Sequence, residues 1–487
     1  MKRSPPDRHP GPRRNRRPDG DVRERTPERW TPRGESLIPG PKRVLAWQGI
    51  PGETARFKLA NAGRNQVLVR WVGAKDPHPH RVQPPCDRYD PCGGCPLMHL
   101  DAVGQADART AMLQDTFAEA GLAPFPIDPL VTSPLQGFRH LIKLAAAPGD
   151  RGDLLLGAPG RYTRNVVPIN RCLVVTPVLA EAMQALVKAA HEVRLRPWVG
   201  EGRGLLRWVI ARQSAATGEV LVTVVAGHNP RVLQQYAEAA TRRCDHIVGV
   251  HVHINDGPGN AIFSPDGQGL VGTTRLLGRD ELRDRVGGVE VRIGPGDFFQ
   301  TNPAIGDRIA RDLVDLSGAR DKAPVVDLYC GVGGFTLALA KASGWAFGVE
   351  VNAGAIQRAR EAARAQGIPA EFAAGPALDL LPDLQRRLEG TRPSVVVDPA
   401  RRGLEEGVLD AICALAPARL LYVSCNPRAL ARDLAALVER GWTVQRVRPY
   451  DMFPNTAHLE LLAVVEPPGG APEEPGRRGP RRKVVRG

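Results

Sequence analysis

From about residue 323 the chain alternates short β-branched runs with Ala/Leu-rich stretches, and the first of these repeats constrains the fold most. APVVDLYCGVGGFTLALAKASG reads as a buried strand from Val325 to Tyr329, a glycine turn at Gly331, Gly333 and Gly334, and a helix with Phe335, Leu337 and Leu339 at apolar positions. WAFGVEV supplies a second strand ending near Glu350. Strand, glycine turn, helix, strand and acid is the layout of a nucleotide-binding α/β sheet, where backbone amides approach the ligand and a carboxylate takes the ribose hydroxyls. Thr336 holds the last glycine position of the dinucleotide fingerprint. An adenosine-type cofactor without a pyrophosphate, such as S-adenosylmethionine, therefore fits the turn better.

Two later segments place reactive groups on the same sheet. PSVVVDPARRGL is a hydrophobic strand ending in Asp398, which puts a carboxylate at the carboxyl edge where such folds bind ligands. RLLYVSCNPRALARDLAALVERG is a strand ending in Ser424-Cys425, then a helix with Asn426 as N-cap and Pro427 in its first position. Leu430, Leu434, Leu437 and Val438 give that helix an apolar face, and Gly441 stops it. Cys425 thus precedes a helix N-terminus, whose partial positive charge is expected to favour thiolate, so it is a candidate nucleophile. In YDMFPNTAHLELLAVVEPP, His458 and Glu460 alternate with Leu459 and Leu461, which predicts a shared strand face and makes Glu460 a candidate general base. Cys244, Cys330 and Cys413 have no such setting and are read as structural.

Cys86, Cys92 and Cys95 crowd into PPCDRYDPCGGCPLMHL. In a chain without a signal peptide, a cluster of this kind points to a metal rather than to disulfides. The fourth ligand could be Cys172 or His99, and the spacing serves an iron-sulfur cluster and structural zinc alike. The glycines of CGGC are expected to relieve the cost of positive φ in a tight wrap around the ligand.

The 487 residues carry 66 Lys/Arg against 52 Asp/Glu, a net +14 that favours a polyanionic partner. Its location narrows the point, because residues 1–34 contribute 11 − 5 = +6 and residues 467–487 contribute 6 − 2 = +4, leaving +4 for the body. Both ends are Pro/Gly/Arg-rich and nearly free of aliphatic residues, so 1–35 and 467–487 are predicted to be disordered basic tails, either merely solvated or acting as arms for nucleic acid phosphates. No run approaches the roughly 18 apolar residues of a membrane span, and the amino end has no apolar signal core. A cytoplasmic protein that does not engage membranes is expected. Between about 100 and 290, helical stretches alternate with strands such as GEVLVTVVAG and HIVGVHVHI without an internal repeat. His251 and His253 are read as a plain strand face rather than a metal pair, and His78 and His80 as loop.

Taken together, these residues resemble the RNA uracil-C5 methyltransferase family, in particular its iron-sulfur branch that makes 5-methyluridine in 23S ribosomal RNA. The motifs DPARRG, LLYVSCNP and DMFPNTAHLE carry the resemblance, which spans about residues 40–466. It implies an α/β, Rossmann-like S-adenosylmethionine methyltransferase domain at 291–466 and an inserted α+β central domain at 83–290. A small, divergent OB-like (TRAM-like) RNA-binding barrel is implied at 36–82, where GETARFKLANAGRNQVLVRWVG stands. It further implies a monomer in which Cys86, Cys92, Cys95 and Cys172 hold a [4Fe-4S] cluster, while Gln300 (in GDFFQTN), Tyr329, Glu350 and Asp398 line the cofactor. Cys425 would add to C6 of the uracil and Glu460 would remove the C5 proton. Departures from the family pattern are Ala400, Ala429, Asn455 and Gly334, where proline, threonine, glutamine and asparagine are usual. Cytosine-C5 enzymes usually carry a further cysteine in the segment that reads DPARRG here, and amino-methylating enzymes need no nucleophile. Two other readings are the same reaction on the transfer-RNA T-loop and an inactive RNA-binding assembly factor.

Overall fold

The computed structural model describes residues 22–469 except 164, 170, 201–202, 258–261 and 264–272. Residues 1–21 and 470–487, most of both predicted tails, lie outside the described residues. The chain divides into two units, the first ending at Val82 and the second beginning at Gln83.

In the first unit, β1 (Val22–Arg25), β2 (Arg29–Trp30), β3 (Ser36–Ile38), β4 (Arg43–Trp47), β5 (Ala55–Ala62) and β6 (Gln66–Ala74) form one sheet in the order β1-β5-β6-β4-β3-β2, consistent with an OB-like domain. Ile38, Ala46, Ala55 and Phe57 are its small core. Residues 22–30, expected to be part of the tail, instead carry the strands β1 and β2 of this sheet. β1 is exposed throughout and joins through backbone pairing, Val22 opposite Lys58 and Arg25 opposite Ala55, which an edge strand can do without aliphatic side chains.

The second unit opens with the cysteine-rich segment and α1 (Ala102–Glu119). Next come β7 (Leu141–Pro148), β8 (Leu154–Pro159), β9 (Val166–Pro168), α2 (Pro177–Glu192), β10 (Leu206–Gln213), β11 (Val220–Ala226), α3 (Val232–Thr241), β12 (Ile247–Ile254) and β13 (Thr273–Gly278). These strands pair in the order β13-β12-β11-β10-β7-β8-β9, and α2 and α3 pack on one face around Leu186, Val209, Val224 and Tyr236. His251 and His253 sit buried in β12, as a strand face would have them.

A hairpin, β14 (Leu282–Val286) and β15 (Val289–Ile293), leads into α4 (Pro303–Leu316). The remaining elements are β16 (Val325–Leu328), α5 (Gly334–Ser343), β17 (Ala346–Glu350), α6 (Ala353–Gln366), β18 (Ala370–Ala374), α7 (Ala377–Arg387), β19 (Ser394–Val397), α8 (Val408–Ala414), β20 (Arg419–Ser424), α9 (Pro427–Glu439), β21 (Thr443–Tyr450) and β22 (Glu460–Glu466). Their sheet runs β18-β17-β16-β19-β20-β22-β21, parallel from β18 to β20, with β22 antiparallel to both neighbours. Strand residues alternate between two cores: Val325 and Val396 face α4, α5 and α6, while Val326, Val395 and Val397 face α7, α8 and α9. Strands covered on both faces read as continuous hydrophobic runs, which is why VVDL and SVVV were conspicuous.

The boundary expected at residue 290 cuts through β15. The hairpin packs Val286, Val289 and Val291 into the core beneath α4, α5 and α6. α1, expected in the central domain, likewise places Leu113 and Phe117 against α9 and its neighbours. The chain after it runs along β21, where the Asp128 amide donates to Val447 O at 2.9 Å. Among the described residues no helix is long and apolar enough to cross a membrane.

Candidate active site

Strand order reverses at β16, which lies between β17 and β19, and the carboxyl ends there form the crevice where open α/β sheets bind ligands. Gln300, Tyr329, Cys330, Gly331, Phe335 and Asp398 line a cleft at this point. Tyr329 has φ +66°, a left-handed conformation that costs a tyrosine energy and bends the chain sharply off β16. Gly333 follows at φ +78° and caps α5, and a Cβ there would stand 2.8 Å from the Phe372 ring, so glycine is required twice over. The Glu350 carboxylate accepts from the Gly331 amide at 3.1 Å and the Asn352 amide at 2.9 Å, placing it against the turn. Gln300 Nε2 lies 3.4 Å from Asp398 Oδ2. The four residues selected for the cofactor are thus gathered around one turn. Behind them Asp327, fully buried, accepts from the Thr336 hydroxyl at 2.6 Å, and burial pushes its carboxyl up to about 7.

Cys425 follows β20 directly, and Asn426 caps α9 by accepting from the Arg428 amide at 3.2 Å. The same side chain donates Nδ2 to Arg401 O at 2.7 Å, tying the loop after Asp398 to the helix start. Asp433, one helical face further on, accepts from the Leu404 amide at 3.1 Å and the Tyr422 hydroxyl at 2.6 Å and fixes that loop a second time. Glu460 begins β22, buried, and antiparallel pairing sets Leu461 opposite Ser424, so Glu460 and Cys425 emerge side by side. Burial and then the Asp398 charge raise the Glu460 carboxyl well above its ordinary range, while Arg401 lowers it. Asp398 is also raised, by burial and then by Asp327.

The thiol departs from expectation. Burial, then Glu460, push Cys425 up to about 11, with Asp398 adding to the rise and Arg401 opposing it. A helix N-terminus favours the thiolate, but desolvation and two neighbouring carboxyl groups outweigh it here.

The cysteines of the amino-terminal cluster come together with the distal one. Cys86, Cys92, Cys95 and Cys172 line one cavity beside Tyr89 and Met98. His99 is engaged elsewhere, its Nδ1 2.8 Å from the Tyr89 hydroxyl. Burial and then the Cys172 thiol push Cys95 up to about 12. Neither glycine of CGGC has positive φ, contrary to expectation. Gly93 instead permits close approach, since a Cβ there would stand 3.3 Å from Pro159 O.

The tRNA (uracil-5-)-methyltransferase family model matches residues 387–466, the stretch that carries Asp398, Cys425 and Glu460. An uncharacterised RNA methyltransferase of Gloeobacter violaceus is 32% identical over 87% of this chain and 92% of its own length. One from Bacillus cereus is 31% identical over 86% and 91%. The chain belongs to the RNA uracil-C5 methyltransferase family. A solved Pyrococcus abyssi tRNA (uracil-54, C5)-methyltransferase in complex with S-adenosyl-L-homocysteine shares the fold, with TM-score 0.71 and 24% identity over 91% of this chain and 99% of the other. Membership makes this protein an S-adenosylmethionine-dependent RNA methyltransferase.

Sequence reasoning passed over one residue of this candidate site. Arg401, third after Asp398, is the cation beside Cys425 and Glu460, and its place in a doubled arginine after a strand-end acid was the available signal. His458 lies just before β22, which begins at Glu460, and Arg401 acts on both side chains, lowering His458 after burial does. Val438 is 43% exposed, so the buried face of α9 is Leu430, Leu434 and Leu437. Gly334 is accounted for locally: a Cβ there would meet Val286 Cγ1 at 2.7 Å, so the hairpin fills the space an asparagine would need.

Proposed function

We propose that this methyltransferase forms 5-methyluridine in large-subunit (23S) ribosomal RNA through a covalent bond between Cys425 and C6 of the target uracil. The observation that carries the reading is the meeting of Cys425, Asp398, Glu460 and Arg401 beside the cleft at the β16 turn. Gln300, Tyr329, Glu350 and Asp398 would hold S-adenosylmethionine, which supplies an electrophilic methyl group when bound. The uracil must leave its stack to reach the site.

C5 of uracil is too weak a nucleophile to take a methyl group unaided, so the chain's task is to activate it. The Cys425 proton passes to a neighbouring carboxylate, for which the raised Asp398 has suitable basicity, while Arg401 stabilises the thiolate. Sγ adds to C6, the C5=C6 electrons shift to make an enolate, and C5 would take the methyl carbon as its bond to the cofactor's sulfonium sulfur breaks and S-adenosylhomocysteine leaves. Glu460 then removes the C5 proton. That electron pair restores C5=C6, the C6–Sγ bond breaks, and Cys425 leaves as thiolate.

The choice of ribosomal RNA rests on the four cysteines, which we assign to a [4Fe-4S] cluster. Burial, and after it the neighbouring thiols, raise Cys86, Cys95 and Cys172 around this cavity, and a cationic cluster core would relieve that cost by letting them bind as thiolates. Among the described residues no group of three or more His, Cys, Asp or Glu is placed to hold a metal ion, so the assignment rests on the four cysteines sharing one cavity and on the family resemblance. All eight cysteines are free, which fits a reducing, cytoplasmic compartment. The barrel would grip RNA, and the basic ends would add affinity that falls with salt.

Labelled-methyl transfer to ribosomal and transfer RNA, followed by nucleoside analysis, tests the reading. Label in 5-methyluridine of ribosomal RNA supports it. Label in transfer RNA alone, the substrate named for the Pyrococcus enzyme, overturns the substrate, label in another nucleoside overturns the reaction, and no transfer at all favours the inactive assembly factor. Iron and sulfide analysis of anaerobically purified protein tests the cluster, and stoichiometric zinc defeats it.

A further inference from the structure

Glu460 is the first residue of β22, so its direction is set by the segment 451–459 that delivers it. That segment is gripped by α1 and the residues leading into it. Arg109 donates Nη1 and Nη2 to the two carboxylate oxygens of Asp451, at 2.5 and 3.0 Å. Gln105, one turn earlier on the same face, makes a reciprocal pair with Asn455: its Nε2 donates to Asn455 Oδ1 at 3.1 Å, and its Oε1 accepts from the Asn455 amide at 2.9 Å. The Leu97 amide, two residues beyond Cys95, donates to Asn455 O at 2.9 Å. Asn455 Nδ2 donates to Leu135 O at 2.7 Å. Asn455 thus engages its amide, its carbonyl and both side-chain polar atoms, and it holds φ +65°, which asparagine tolerates better than glutamine. Gln105, Arg109, Asp451 and Asn455 are all buried, where such bonds hold one geometry and broken ones are not replaced by water.

We infer that Gln105 and Arg109 are positioning residues for the proton-abstracting carboxylate, so that α1 and the cysteine-bearing segment ahead of it fix where Glu460 points. This inference rests on Glu460 being the base that releases Cys425. A base must sit within hydrogen-bond reach of the C5 proton, and a displacement of about 1 Å can cost on the order of a hundredfold in rate. Loosening the grip on 451–459 slows the last step while leaving thiol addition and methyl transfer in place. The signature is a covalent protein–RNA adduct that accumulates because its resolution is delayed.

The experiment compares full-length wild type, Gln105→Met, Asn455→Gly and Glu460→Gln on unmodified ribosomal and transfer RNA transcripts with labelled S-adenosylmethionine. Turnover is read as 5-methyluridine, and adduct as labelled RNA that migrates with protein after denaturation. Gln105→Met keeps side-chain length and removes both bonds to Asn455. Asn455→Gly accepts the positive φ without strain, which guards against a variant that merely misfolds. The expected result is turnover lowered about tenfold or more with a higher adduct fraction in both variants. Unchanged turnover, or turnover and adduct falling in proportion, overturns the inference while leaving the proposed reaction standing. Failure of Glu460→Gln to trap adduct removes Glu460 as base and overturns both.

Discussion

The Cys425 thiol, pushed up to about 11, makes a reactivity prediction that needs no RNA. At pH 8 about one molecule in a thousand carries the thiolate, against about one in ten for a thiol titrating near 9, a roughly hundredfold deficit by simple titration. A thiolate of higher pKa is the stronger nucleophile, and a Brønsted slope of about 0.45 over two units returns a factor of about 8. Alkylation of Cys425 by iodoacetamide should thus run about tenfold slower than that of an ordinary exposed cysteine at pH 8, and gain about tenfold per pH unit up to pH 10. Peptide mass spectrometry separates Cys425 from the other seven cysteines. The variants carry the sign. Glu460→Gln removes an anion that raises the thiol, so its profile moves to lower pH, whereas Arg401→Met removes the cation that lowers it, so its profile moves up. A wild-type plateau at or below pH 9, or a profile indifferent to Glu460→Gln, would refute the electrostatic account and with it the need for a carboxylate to take the thiol proton.

Three further outcomes follow from the same geometry. Arg109→Met leaves Asp451 charged, buried and unpaired, at a cost of about 3–5 kcal/mol in urea unfolding, and adding Asp451→Asn should recover part of it; an additive double variant argues against the pair. Gly334→Asn forces a Cβ against Val286, so melting should register a loss of about 1–3 kcal/mol that Val286→Ala relieves, and a neutral Gly334→Asn would remove the explanation for this departure. Asp327 is protonated more readily folded than unfolded, so it contributes stability below about pH 4 that is lost as pH rises towards 7. The stability difference between wild type and Asp327→Asn should therefore change by on the order of 4 kcal/mol between pH 4 and 8 in favour of the variant, and a constant difference would show the carboxyl to be ionised throughout.

What the sequence made legible was local. A hydrophobic run that stops at one polar residue puts that residue at a strand's carboxyl end, so Asp398 and Cys425 could be placed from their own segments. Asn426, Pro427 and Gly441 announced α9 by the same economy, since caps depend on immediate neighbours. The parallel pairing from β18 to β20 follows from the alternation of strands and helices, but the insertion of β22 between β20 and β21 does not, and that insertion is what brings Glu460 beside Cys425. The proton affinity of the thiol was misjudged for this reason: the helix terminus is visible in the sequence around Cys425, whereas the two carboxyl groups that outweigh it arrive from other strands.

The role of α1 lies at the far end of that scale. Its sequence reads as a helix with no apolar surplus, and Gln105 and Arg109 on it look like solvated polar residues. They are among the most buried side chains of the protein because their partners, Asn455 and Asp451, lie about 350 and 342 residues away in the chain. A polar residue at an inward helical position is a defect in a segment read alone and a specific bond once its partner is known, and only the assembled fold distinguishes the two. The cysteine cluster shares this dependence, since it needs Cys172 from beyond β9 to complete its cavity, and its segment passes directly through Leu97 to Asn455. The segment that carries three of the metal-ligand candidates and the segment that delivers the candidate base, which the sequence offers as separate motifs, are therefore joined by the Leu97–Asn455 backbone bond. That is why adduct resolution, rather than stability alone, is the property expected to respond when α1 is altered.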